Sequence, residues 1–323
     1  MIDAAIVGLG WWGKNLVNAV QGKSERLRFI RGVSKEPDSV REFASRHGFD
    51  LSTELSEVLA DPKVKAVVLA TPHSLHVDQV VAAARSGKPV FCEKPLALNR
   101  AGAVRAIEAC AEARVPLGLG ANKRLWSSMR ELRKVVASGV LGEILHVEGH
   151  YSNENSGTLF SSWRDSPAES PGGGMTGSGL HVLDALVNVG GPIRRVDVRL
   201  MLRKPSPDPL DTVSGLVEFK SRVTGMFGTV RASPFYWRVH VFGRKGSVEA
   251  VGETDLVLRH SGGKVERSSF EPVDTLRAEL DRFADAAAGV APFYIPTAEM
   301  LNTVTAFEAV IKSIDTGAPV TLD

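Results

Sequence analysis

Three glycines at close spacing, Gly8, Gly10 and Gly13, stand between a short β-branched run and an amphipathic stretch, and this arrangement restricts the fold more than any other feature of the chain. Ala4 to Val7 reads as a strand and Trp12 to Gln21 as a helix. A strand that passes into a helix so abruptly needs one glycine for the bend. It needs a second where backbone approaches a bound pyrophosphate, and a third where helix and strand pack closely. The amides of the first helical turn lack intrahelical partners and sit at the positive end of the helix dipole, which suits an anion. The turn GLGWWG therefore predicts a dinucleotide site, although the same spacing also occurs in ordinary strand-to-helix turns. Trp11 and Trp12 are expected to pack under the loop or, in one case, to flank the dinucleotide.

At 323 residues the chain exceeds the roughly 250 that one core efficiently supports, so two domains are expected. Up to about Ala121, β-branched runs (Leu27 to Val33, Ala66 to Ala70, Pro89 to Cys92, Pro116 to Leu119) alternate with helical stretches (Asp38 to His47, Leu75 to Ser86, Arg100 to Ala113). That is the pattern of an α/β Rossmann domain with a doubly wound parallel sheet. Beyond Arg124, longer period-two runs such as Ile144 to Tyr151, Val213 to Phe219 and Val223 to Val230 predict an α+β domain with an open-faced, mostly antiparallel sheet. The expected domains are 1–121 for the dinucleotide and 122–323 for substrate binding and oligomerisation. The 39 basic and 37 acidic residues form no block of one sign, which argues against a nucleic-acid or membrane surface. Cys92 and Cys110 read as reduced core residues, with no disulfide framework and no metal site. The N-terminal residues lack a cleavable apolar segment, and no run approaches the roughly 18 apolar residues of a membrane span. A cytoplasmic protein with a small-molecule partner is expected.

The second strand ends at Val33, where NAD-preferring sites carry a carboxylate for the adenosine ribose hydroxyls. Ser34 and Lys35 stand there instead. A hydroxyl and an ammonium suit a 2′-phosphate, so NADP is expected as cofactor. NAD is possible if Glu36 or Asp38 turns into that position.

The segment ATPHSLHVDQVVAAARSGKPVFCEKPL, Ala70 to Leu96, closely resembles the glucose-fructose oxidoreductase, inositol dehydrogenase and MocA family, in which TPxxxH, GKxV and EKP follow in this order. Further matches are Asn122 to Arg124, Ser138 to Ile144, Trp163-Arg164 and Gly172 to Asp184. The resemblance implies a Rossmann domain followed by an open-faced sheet domain, and an oxidoreductase acting on a sugar, inositol or related polyol. It implies that Thr71, Pro72, His73, His76 and Glu93 line the cofactor, that Lys94 lies beside the nicotinamide ribose and the reacting oxygen, and that Arg164 reaches the cofactor. It also implies a homodimer or homotetramer built on the open sheet face.

Loss of hydride from an alcohol requires loss of its proton, so an ionisable group must touch the reacting oxygen. Lys94 and His181 are the candidate catalytic groups, with Asp184 a structural support on the same helical face. Many enzymes of this family carry an aspartate four residues before the histidine; here that residue is Gly177. Either Lys94 and His181 suffice, helped by Asp165, Glu169 or the substrate, or the chain is a dinucleotide-sensing regulatory or scaffold protein. Asn122, Arg124, Tyr151 and Trp163 are the further candidates for substrate contact.

Overall fold

The computed structural model describes residues 1–154 and 162–322. In chain order the elements are β1 Ile2–Val7, α1 Trp11–Val20, β2 Leu27–Val33, α2 Pro37–His47, β3 Asp50–Ser52, α3 Leu55–Ala60, β4 Ala66–Leu69, α4 His76–Arg85, β5 Val90–Glu93, α5 Arg100–Ala113 and β6 Leu117–Gly120. There follow α6 Ser127–Ala137, β7 Ile144–Ser152, α7 Leu180–Gly190, β8 Ile193–Met201, β9 Thr212–Phe219, β10 Thr224–Val230, β11 Tyr236–Gly243, β12 Gly246–Val251, β13 Asp255–His260 and β14 Val265–Ser269. The chain closes with α8 Thr275–Ala287, α9 Thr297–Thr316 and β15 Val320–Thr321.

It forms two compact units: Met1–Asn122 with Asp274–Met300, and Lys123–Val273 with Leu301–Asp323. The change of pattern along the chain predicts one boundary near Ala121. The segment carrying α8 joins the first unit because Leu280, Phe283 and Ala284 are buried in its core with Phe29, Val68 and Phe91.

In the first unit six parallel strands run in the order β3-β2-β1-β4-β5-β6. Every residue of β4 and β5 is buried, which is why these strands read as unbroken apolar runs rather than alternating ones. The strand order reverses between β1 and β4. Ligands of open α/β sheets bind outside the carboxyl ends of strands at such a reversal. Gly8 follows β1 there, Ala70 and Thr71 follow β4, and Lys94 follows β5.

The second unit is built on nine strands in the order β14-β13-β12-β11-β7-β10-β9-β8-β15, antiparallel throughout except for the β7–β10 pair. Its inner face buries Val147, Val196, Val217 and Val239, and α7 lies on it. Gly149 permits that approach: a Cβ there would stand 2.5 Å from Val182. On the outer face Met201, Leu216 and Met226 are exposed, beside the ion-paired row Glu148, Arg238, Glu249 and Arg259. Both cysteines are buried and free, and burial pushes the Cys110 thiol up to about 11. Among the described residues no helix is long and apolar enough to cross a membrane.

Candidate functional site

The three N-terminal glycines occupy three different environments. Gly8 has φ +92°, and a Cβ on it would lie 2.5 Å from the Ala70 carbonyl oxygen, so the turn closes onto the end of β4 only without a side chain. At Gly13 a Cβ would overlap the Gly8 carbonyl oxygen, which ties α1 directly to the turn. Around Gly10, by contrast, a Cβ would meet nothing within 4 Å. Gly10 is the N-cap of α1, whose first turn carries neither a side-chain cap nor an acidic residue. A helix N-terminus with amides to offer and open space at its middle glycine fits a pyrophosphate. Trp12 packs against the core of this unit, whereas Trp11 is 54% exposed beside it, with ring centroids 5.4 Å apart.

At the end of β2, the Ser34 hydroxyl accepts from the Glu36 amide at 3.2 Å, and the Lys35 ammonium stands 3.1 Å from a Glu54 carboxylate oxygen. Lys35 and Glu54 are both largely exposed, so their pair is weak and open to replacement by a stronger anion.

The carboxyl ends of β4 and β5 are braced to each other through His76. This histidine is fully buried, with one ring nitrogen 3.0 Å from the Thr71 carbonyl oxygen and the other 2.7 Å from that of Pro95. Carbonyls only accept, so both contacts are hydrogen bonds when the ring carries both protons. The Thr71 hydroxyl donates to Gln79 at 2.6 Å, and Pro72 precedes a short helical turn over His73–Leu75. His73 is 5% exposed and lies edge-on to His76. Lys94 is half-buried, and its amide donates to the Glu93 carboxylate at 3.2 Å. Asn122 donates from its side-chain amide to the Thr275 hydroxyl at 3.0 Å, which anchors the start of α8 to the end of β6.

In the second unit His181 is the second residue of α7, which directly follows a π-helical turn over Met175–Gly179. Its ring lies edge-on to Tyr151, centroids 6.2 Å apart. Tyr151 is 6% exposed, its hydroxyl accepts from Asn153 at 3.0 Å, and burial raises its pKa. Arg124 has both guanidinium arms on Asp184, at 2.8 and 2.7 Å, and Thr303 also donates to that carboxylate. Arg124 is thus engaged in holding α7. Arg164 stacks on the Trp163 ring at 4.6 Å. A Cβ at Gly177 would meet nothing within 4 Å.

Two arrangements in this unit are not evident from the sequence. The Lys123 ammonium lies over the rings of Trp126, Tyr151 and Trp237, at 4.0, 4.7 and 5.8 Å. The proximity of Trp126 to the NKR motif was the available signal; Trp237 arrives from a strand far along the chain. The buried Asp211 carboxylate accepts from the Gly174 amide at 2.8 Å and from Arg231 at 3.0 Å, pinning the glycine run ahead of His181.

Comparison with known proteins gives a consistent result. Residues 2–121 match the family described as an oxidoreductase family with an NAD-binding Rossmann fold, and residues 129–249 match the GFO/IDH/MocA C-terminal domain. An uncharacterized oxidoreductase of Streptococcus pneumoniae is 30% identical over 146 residues, 45% of this chain but only 39% of that protein. Myo-inositol 2-dehydrogenase of Thermotoga maritima is 30% identical over 275 residues, 80% of this chain and 78% of the relative. Levoglucosan dehydrogenase, solved with NADH and L-sorbose, superposes with a TM-score of 0.89 at 19% identity, covering 100% of this chain and 99% of the other. That last likeness is one of fold.

The Arg124–Asp184 pair has side chains only 5% and 10% exposed, so removing one partner breaks a buried ion pair. Asp184→Ala is expected to cost about 3–5 kcal/mol of stability, read as a lower urea midpoint. A loss under about 1 kcal/mol would mean the guanidinium finds water or another partner, and that the pair does not hold α7.

Proposed function

Because the chain belongs to the GFO/IDH/MocA family of oxidoreductases, we propose that it moves hydride between a nicotinamide dinucleotide, NADP(H) by preference, and a sugar, inositol or related polyhydroxylated alcohol or carbonyl. The observation that carries this reading is the open space over Gly10, between two glycines that are packed without room for a side chain. When bound, the dinucleotide supplies a hydride acceptor or donor. The amides after Gly10 hold its pyrophosphate, and Ser34 with Lys35 hold the adenosine ribose and its 2′-phosphate. Thr71, Pro72 and His73 form the wall beside it, with Trp11 and Arg164 as further contacts, while His76 fixes the wall's geometry. Lys94 takes or returns the substrate's hydroxyl proton at Nζ; His181 is the second group able to do so. Asn122, Arg124, Tyr151 and Trp163 remain candidate substrate contacts, and Lys123 joins them. The roles of Lys94 and His181 rest on the motif match. We also propose that a second copy covers the apolar outer face around Met201, Leu216 and Met226.

A second reading has one observation in its favour. Gly177 stands where many family enzymes have an aspartate, so this chain lacks a group that assists the histidine, as a dinucleotide sensor would. We favour the enzyme because the space at Gly177 is open and Lys94 and His181 are present.

Three experiments test these statements. In calorimetric titration NADPH is expected to bind more tightly than NADH, and Lys35→Asp to reverse the order; unchanged preference removes the 2′-phosphate argument. In the same assay Gly10→Ala should weaken dinucleotide binding at least tenfold at a nearly unchanged melting temperature, since the added Cβ meets only the space assigned to phosphate. Turnover on a panel of cyclic polyols and their ketones, followed at the reduced nicotinamide band, is expected for the native chain and should fall at least a hundredfold in Lys94→Ala, within the range typical of a lost acid–base group. Cofactor binding without turnover across the panel would favour the sensor. Finally, light scattering is expected to give a multiple of the 34.7 kDa chain mass, and Leu216→Arg to lower it; a monomer would leave the outer face unpartnered.

A further inference from the structure

Glu279 is an ionisable residue in a fully enclosed place. Its side chain has no solvent exposure, and neither carboxyl oxygen has a hydrogen-bond partner among the described residues. A lone carboxylate in such a site is prohibitively costly unless it holds a proton or a partner.

Its neighbour follows from the way α8 lies along the ends of β5 and β6. At one level Phe283 meets Phe91, centroids 5.6 Å apart, and sits 3.0 Å from where a Cβ on Gly118 would be. Phe91 and Gly118 are register partners, and so are Glu93 and Gly120. At the far end Thr275 is hydrogen-bonded to Asn122, two residues beyond Gly120. Two strand residues advance about 6.6 Å and four helical residues about 6 Å, so the levels keep step. Phe283 pairs with Phe91 and Gly118, Thr275 with Asn122, and Glu279 falls between them, at the level of Glu93 and Gly120. The Glu93 carboxyl lies so close over Gly120 that a Cβ there would stand 2.6 Å from Oε1. Glu93 is itself 6% exposed, which leaves two carboxyl groups enclosed together.

We propose that Glu279 is a protonated carboxylic acid that donates its hydrogen bond to the Glu93 carboxylate, and that this buried pair, holding one proton, positions the turn that carries Lys94. Two like charges in one dry site cannot both persist, and a proton on Glu279 removes one while supplying the missing donor. Glu93 then keeps its charge and its hydrogen bond from the Lys94 amide. Burial first, and Glu93 second, raise the Glu279 pKa well above the ordinary carboxylate range. Other charged groups on the packed elements are engaged elsewhere. Lys14 of α1 lies over Phe43, Arg28 and Arg31 of β2 pair with Asp3 and Asp61, and Asp285 of α8 pairs with Arg26. Asp281 accepts from Ser24. Glu279 is thereby a positioning residue, acting through Glu93 and the backbone. The part of the proposal that concerns Lys94 rests on the oxidoreductase reading; the pair itself does not.

Infrared spectra of the full chain at pH 8 are expected to show the carbonyl stretch of a protonated carboxylic acid, and Glu279→Gln to lack it. No such band in the native chain, or a band that survives in Glu279→Gln, overturns the pair. Melting supplies a second readout. Because the folded-state value is raised, the fold retains a proton that the unfolded chain would release, so native stability falls as pH climbs above the ordinary carboxylate range. Glu279→Gln removes that slope: its melting temperature is expected to gain on the native chain between pH 5 and pH 8, and a growing deficit over this interval overturns the proposal. For positioning, Glu279→Ala should lower kcat at least tenfold with the dinucleotide KM within twofold, and Glu279→Gln should recover most of the loss. Equal kcat in Glu279→Ala and the native chain overturns the positioning role. A native chain without turnover would count against the oxidoreductase reading, while the spectra and melting still decide the pair.

Discussion

Everything in the first unit depends on backbone meeting backbone where β1 turns into α1. Gly8 closes on the Ala70 carbonyl and Gly13 closes on Gly8, with no side chain between them. This contact sets the start of α1 at the reversal of strand order. The energy involved is less in any one bond than in what must be absent. A methyl group at either position would push the helix away from the sheet edge, and the dipole would no longer point at the place where phosphate is expected.

From that fixed point the neighbouring loops are tied in sequence. The Gly8 amide donates to the Val33 carbonyl at 3.0 Å, joining the turn to the strand end that presents Ser34 and Lys35. On the other side His76 joins the loops after β4 and β5, and Glu93 joins the Lys94 amide to the end of β5. These loops are therefore held by polar contacts as well as by apolar packing. Buried hydrogen bonds are directional and costly to leave unmade, so they fix geometry better than contacts between hydrocarbon groups.

Much of this was legible in the chain itself. The glycine turn, the alternating strands and helices, and the EKP segment stood out because their signals are local: a spacing, a buried apolar run, a short motif. What escaped was non-local or lacked contrast. Residues of β14 are all exposed, so no alternation marks the strand, and β3 spans three residues. α8 is amphipathic for either unit, and only its packing on Phe91 and Gly118 assigns it to the first. The pairing of Arg124 with Asp184 was not legible because the two lie sixty positions apart. Glu279 gave no sign at all, since a glutamate in a helix ordinarily faces solvent.

The segment bearing His181 bears on the choice between enzyme and sensor. It is pinned before the histidine, where Gly174 is bound to the Asp211–Arg231 pair, and after it, where Asp184 is held by Arg124 and Thr303. Arg231 also donates to the Asp208 carbonyl, which secures the proline-rich connection to β9. Buried ion pairs are often less stabilising than an apolar core of the same volume, so their presence at both ends points to a need for fixed geometry. A sensor needs an element with two arrangements close in energy. A histidine clamped between two buried charge pairs is poorly suited to that, and well suited to meeting a substrate atom in one place; this favours the enzyme even with glycine at position 177.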